Sequence, residues 1–284
     1  MIRFSKYIWL YMIISALVLV PGMYSLIRYG LRPSIDFTGG TLVELKFDKD
    51  VTADSISTIA KKENFPIISI QKTSTDTYIL RLQEGSEKIP ASLSANIIRD
   101  ETVGPVLGRE LLQKTITAAL IAMFAILAYV AYAFKNIKFG VSAIIALIHD
   151  LLVVVGCFSL FGHFYGVEVD TLFVTAVLTT MSFSVHDTIV VFDRIREMLK
   201  RGDQLPFNEL CDKAMTETIG RSTANSFTIV FMLLALALLG GETIRWFVIA
   251  LLIGTVSGTY SSPFVATPVL ILWDRWEKRR KSLK

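Results

Sequence analysis

Charge is scarce in this chain. Only 19% of its 284 residues are Asp, Glu, Lys or Arg, where a soluble domain carries about a quarter, so an ordinary water-soluble globule is excluded. Cysteine is nearly absent. Cys157 falls in an apolar run and Cys211 in a charged stretch read as a loop, so the pair gives neither a disulfide framework nor a metal spacing. The three histidines form no H-E-x-x-H or comparable i, i+4 pairing. His149–Asp150 and His186–Asp187 each put a possible ligand pair on adjacent residues, which diverge by about 100° on a helix, so a metal-dependent hydrolase is disfavoured and no metal is expected. There is no Walker loop, hence no nucleotide that energises the chain directly. The net charge of +4 follows topology and is not a nucleic-acid signal.

What the chain does have is hydrophobic sequence: 52% of residues, with a mean hydropathy of +0.53, gathered into runs that match bilayer thickness. Six runs can be read, Tyr7–Ile27, Thr115–Phe134, Phe139–Phe161, Thr171–Phe192, Gly220–Leu239 and Trp246–Leu272. The fold class expected is a membrane α-helical protein with six transmembrane helices and a small α+β extracytoplasmic domain between the first two. The domains are 1–27 (cytoplasmic N-terminus and first span), 28–114 (outer domain), 115–272 (five-helix membrane domain) and 273–284 (basic cytoplasmic tail). Arg3 and Lys6 before the first run resemble a signal-peptide start, but the apolar stretch is long and lacks an A-x-A-like site, which favours an uncleaved anchor.

Lys and Arg set the orientation. The inner segments hold Arg3, Lys6, Lys135, Lys138, Arg194, Arg196, Lys200, Arg201, Lys213 and Arg221, and the tail adds Arg275 through Lys284. The short outer loops hold only Arg245. Both termini are therefore expected in the cytoplasm. The segment from Arg28 to Lys114 is neutral, with 12 basic and 12 acidic residues. In it "TLVELKF", "IISIQKT" and "TYILRLQ" read as strands, "TADSISTIAKKENF" as a capped amphipathic helix, and "SLSANIIRDETVG" as a further helix. Gly39 and Gly40 read as a backbone turn before a strand.

The chemistry is expected where charge enters the membrane. At about 1.5 Å per residue, His149 and Asp150 lie roughly 15 Å along the third span, near the midplane. Asp187 lies roughly 23 Å below Leu172 on the fourth. Arg221 in the first turns of the fifth span matches the depth of Asp187, and the two could pair. Arg221, Asn225 and Thr228 follow i, i+4, i+7, while Thr175, Thr179, Ser182 and His186 form one polar stripe and Thr180, Ser184 and Asp187 another beside it. In lipid such stripes meet other helices or water. Gly254, Gly258 and Ser262 have small-xxx-small spacing on the sixth span, which Pro263 and Pro268 would bend. Simpler readings stand beside these. Asp187 and Arg221 could be boundary residues reaching toward the interface, and His149–Asp150 could be a packing pair.

"SIDFTGGTLVEL", "VGPVLGREL", "ALIHDLLVVVG", "SFSVHDTIVVFDRIRE" and "TETIGRSTANSFT" occur in the order in which the landmarks of one family occur. Over almost the whole length the sequence resembles the SecD/SecF family of protein-export membrane proteins, of the RND superfamily. The resemblance implies half of an RND-type transporter in a bacterial cytoplasmic (inner) membrane, not an enzyme. SecD would supply the six-span partner half, with the SecYEG translocon, the translocating preprotein and the lipid bilayer as further partners. No cofactor is implied, because the proton gradient is the energy source that drives late stages of export. The family motifs place proton passage at Asp187 and Arg221, to which the residue reading adds His186, Asp150 and His149. The family usually has Asn before the Asp where this chain has His186, which can titrate near neutrality. Two alternatives follow from the same physics, an RND-type exporter of small molecules or lipids and a purely structural subunit.

Overall fold

The computed structural model describes residues 3–47, 51–63, 65–72, 76–82, 95–134, 136–202 and 204–282. Lys135 and Lys284, counted above among the inner charges, lie outside them. In chain order the elements are helix α1 (Ile8–Tyr29), the one-turn helix α2 (Ile35–Thr38), strand β1 (Gly40–Phe47), helix α3 (Ala53–Lys62), strands β2 (Ile67–Lys72), β3 (Thr77–Leu82) and β4 (Ala95–Val103), and helices α4 (Pro105–Phe134), α5 (Ile137–Tyr165), α6 (Thr171–Arg201), α7 (Phe207–Leu239), α8 (Glu242–Ser261) and α9 (Thr267–Ser282). Two compact units emerge, Met1–Leu31 with Ala119–Val167 and Leu172–Lys284, and Arg32–Ala118 with Glu168–Thr171.

The first unit is helical. Among the described residues, six stretches are long and apolar enough to cross a membrane: α1, α4, α5, α6, α7 and the joined α8–α9. A helix keeps its backbone hydrogen bonds within the segment, which lipid requires. The chain is a multi-pass membrane protein. Helices outrun the apolar runs, because hydropathy marks the lipid-immersed part and the backbone continues beyond it. α4 starts at Pro105, whose missing N–H costs nothing in a first turn, and α7 starts at Phe207. Cys211, read as a loop residue, is buried within α7, whose polar first turns hide a helix from a hydropathy scan.

Packing within this unit is specific. Ser25 of α1 and Ser159 of α5 share a buried hydrogen bond of 2.9 Å. Phe134, Phe139 and Phe192 join α4, α5 and α6 with ring centroids 5.3 to 6.4 Å apart, a geometry that adds to dispersion. Between α8 and α9 the backbone makes a π-turn over Ser262–Ala266, in which the Thr267 N–H reaches back to the Ser262 carbonyl. Pro263 offers no N–H to the ordinary ladder, and the wider turn accommodates it.

The second unit is a four-stranded antiparallel sheet in the order β2-β3-β1-β4. Val43, Leu45 and Phe47 of β1 alternate onto one face, where they meet Tyr78, Leu80, Leu82 and Ile56 of α3. Thr52 and Ser55 cap α3 reciprocally. The helix expected at "SLSANIIRDETVG" is corrected: residues 95–103 are strand β4, paired with β1 from Gly40↔Val103 to Phe47↔Ala95, and residues 92–94 lie outside the described ones. A bulge opposite Glu44 and Leu45 leaves Ile97 and Ile98 both exposed. That extra residue breaks the two-residue alternation that announces a strand.

The SIDFTGG stretch is the corner of this unit. Asp36 accepts from both the N–H and the hydroxyl of Thr171 at 3.2 and 3.0 Å, a favourable place for a carboxylate at the start of α6. Pro33 bridges Val169, and Arg81 pairs with Glu168 at 2.9 Å. Gly39 closes α2 at φ 74°, and a Cβ there would fall 2.8 Å from the Pro105 Cα, so only glycine fits the turn.

Candidate functional site

Near the midpoint of α5 lies an enclosed carboxylate, deep in the helical unit. Asp150 is 3% exposed and His149 7%. A carboxylate has about four acceptor sites, and four donors fill those of Asp150. On Oδ1 they are the His149 Nδ1–H at 3.0 Å and the Ser257 hydroxyl at 2.6 Å. On Oδ2 they are the Ser184 hydroxyl at 2.5 Å and the Ser261 hydroxyl at 2.6 Å. Three helices thus converge on one side chain. Among the described residues no Lys or Arg pairs with it, and the cage of these four hydrogen bonds offsets the cost of burying it. The Nε2 of His149 is buried and unpartnered among the described residues.

Small residues bring the helices close enough for these bonds. Gly254 packs on Thr180, and a Cβ at Gly258 would lie 3.1 Å from that of Ser184. Four residues on, the Ser262 and Thr188 hydroxyls meet at 2.9 Å. The small-xxx-small run of the last span is therefore the seam between α8 and α6.

Asp187 lies beside this cage. It is 9% exposed and lies near Ser222 and Ser226 of α7. Thr259 of α8 donates to Ser226 at 2.7 Å. A cleft of about 20 Å³ touches Asp187, His186, Asn225, Ser226, and also Ser184 and Gly258 of the cage wall. That volume admits roughly one water molecule.

The expected pairing of Asp187 with Arg221 is corrected. Among the described residues no ion pair joins them. Arg221 is exposed and lines a separate cleft of about 550 Å³ with Asp193, Arg194, Glu197, Lys200 and Thr218. Helix phase is the reason, because Arg221 and its neighbour Ser222 diverge by about 100° and Ser222 takes the inward position. The stripe Arg221, Asn225 and Thr228 is exposed along its length, as are Ser182 and His186 on α6. Of the five residues expected at the site, the structure gathers His149 and Asp150 in the cage and sets Asp187 and His186 at the cleft. Ser257, Ser261, Ser222 and Ser226 went unrecognised in the sequence. Their i, i+4 spacing was a signal, weak because serine often bonds only its own helix backbone.

Residues 85–276 match the family model described as "Protein export membrane protein SecD/SecF, C-terminal", and residues 24–51 match the "SecD/SecF GG Motif". The protein translocase subunit SecF of Thermobaculum terrenum is 39% identical, with 96% of this chain and 94% of the relative covered. That of Anaerolinea thermophila is 36% identical over 95% and 94%. The crystal structure of SecDF from Thermus thermophilus, titled a translocon-associated membrane protein, superposes with a TM-score of 0.87 at 31% identity. It covers 96% of this chain, which spans only 39% of that longer chain. The GG motif of the second unit, the six membrane helices and relatives aligned nearly end to end agree on one assignment: the chain belongs to the SecD/SecF family of protein-export membrane proteins.

Proposed function

We propose that this chain is the SecF-type half of a two-part export motor. With a SecD-type partner half it uses the proton motive force to promote late stages of preprotein export across a bacterial cytoplasmic membrane, beside the SecYEG translocon. Protons pass by Asp187 and Asp150, and no cofactor or covalent catalysis takes part.

The observation that carries this reading is the Asp150 cage, with a water-sized cleft leading past Asp187 to its wall. A carboxylate at the middle of a membrane helix is costly, and one that gains and loses a proton there responds to the field by about 2.3 kcal/mol per charge per 100 mV. Each protonation state favours a different hydrogen-bond pattern among α5, α6 and α8, which is the requirement for a two-state element. The partner is supported by the exposed polar faces of α6 and α7, including Arg221 and His186, which are expensive in lipid and suited to other helices. It is supported also by the SecDF structure, more than half of whose chain lies outside the matched part. The Lys and Arg distribution supports cytoplasmic termini.

The test is reconstitution. Membrane vesicles lacking their own SecD and SecF are supplied with this chain and a SecD partner, and completion of preprotein export is followed with the gradient imposed or collapsed. Gradient-dependent completion that needs both chains supports the proposal. Completion that is indifferent to the gradient contradicts it.

A further inference from the structure

We propose that Ser261 is the positioning residue that lets Asp150 hold a proton, by changing its own hydrogen-bond acceptor when the carboxylate becomes a carboxylic acid. This deepens the reading above and rests on Asp150 titrating.

All four acceptor sites of the carboxylate are occupied by donors. A proton delivered from water onto Oδ2 turns that oxygen into a donor, which then needs an acceptor. One serine that had been donating must turn its hydrogen elsewhere and accept instead. Among the described residues Ser184 and Ser257 have no second acceptor, whereas the Ser261 hydroxyl lies 3.3 Å from the Gly258 carbonyl. The protonated Oδ2 donates to Ser261 Oγ across the same 2.6 Å, and the Ser261 hydrogen swings to Gly258. Only the O–H bond of the carboxyl is new, the carboxyl goes from charge −1 to zero, and release to water reverses each change.

The exchange has a consequence along the seam. The Gly258 carbonyl also accepts from the Ser262 hydroxyl at 3.2 Å, and Ser262 shares a hydrogen with Thr188 at 2.9 Å. When Ser261 takes the Gly258 carbonyl, Ser262 turns to donate to Thr188. A proton on Asp150 is thereby transmitted to the start of the π-turn and to the residue after Asp187. The titratable groups around the cage are His149 on its own helix, Asp187 on α6, Tyr260 on α8 and Tyr11 on α1, whose carbonyl accepts from the Tyr260 hydroxyl at 2.8 Å.

The test is infrared titration of the full chain assembled with its partner, the Asp150 carboxyl band being assigned by its loss in Asp150→Asn. Ser184→Ala and Ser257→Ala each remove a donor that serves both forms but bonds the charged one more strongly, and each raises the midpoint by about one unit. Ser261→Ala removes a donor from the charged form and an acceptor from the neutral one, so it displaces the midpoint by less than half as much, while Ser261→Thr keeps the hydroxyl and the original midpoint. If Ser261→Ala assembles poorly, Ser261→Cys, of similar volume and weak bonding, gives the same comparison. A displacement at Ser261 equal to that at the other two serines overturns the proposal while leaving proton passage intact. An Asp150 that does not titrate between roughly pH 4 and 10 removes the underlying reading and this proposal together.

Discussion

Ser184 on α6 and Asp150 on α5 meet hydroxyl to carboxylate at 2.5 Å, and Gly258 permits the contact by bringing α8 against the same serine. The carboxylate is thus a structural node. Asp150→Ala leaves three buried serines without their acceptor, at a cost of about 1–3 kcal/mol for each that finds no substitute. Thermal unfolding in detergent is expected to show a loss of several kcal/mol in total, and a much smaller one for Asp150→Asn, whose carboxamide keeps the volume and half of the acceptor capacity.

The α6–α8 seam makes a second prediction. Gly254 has the Thr180 side chain where a Cβ would go, so Gly254→Val forces the helices apart, at about 1–3 kcal/mol for overpacking. Gly258→Ala, whose added methyl would lie 3.1 Å from the Ser184 Cβ, needs only a shift of a few tenths of an ångström and costs less. Thermal midpoints of the two variants, ranked in that order, are the check.

A third prediction concerns pH. Burial pushes the Glu168 carboxyl above its ordinary value of 4.5, against the opposing pull of Arg81. The folded state therefore binds this proton more tightly than the unfolded chain. The stability Glu168 contributes is fully present below the unfolded value and is lost as pH rises through the higher folded value. Glu168→Gln removes the titration, so its thermal midpoint should decline less than the wild type's as pH rises from about 4 into the neutral range.

Arg221 yields a prediction that separates stability from assembly. Its side chain is exposed and, among the described residues, forms no ion pair. Arg221→Leu should leave the stability of the lone chain within about 0.5 kcal/mol, yet weaken co-purification with the SecD partner. Equal recovery of the partner with both forms would remove Arg221 from that interface.

The six spans, three of the four strands and the polar stripes were legible because each is a matter of period and length. The direction in which a stripe faces was not. Arg221–Asn225–Thr228 and Ser222–Ser226 run side by side on α7, both with helical spacing, and only packing against α6 and α8 turns the second inward. Asp150 was marked by its depth, but its serine partners come from α6 and α8, 34 to 111 residues away, and a single sequence carries no signal for such pairing. β4 was misread because pairing with β1 outweighs its helix-like run of charges, and the bulge conceals its alternation.

The most direct measurement is gradient-driven export into membrane vesicles by Asp150→Asn and Asp187→Asn, each compared with wild type with and without an imposed proton gradient. Both substitutions keep size and remove a titratable group. The expected result is normal assembly with the partner, unchanged export without the gradient, and loss of the gradient-dependent increment in both variants. A full response to the gradient in either variant would contradict passage of protons through that carboxylate.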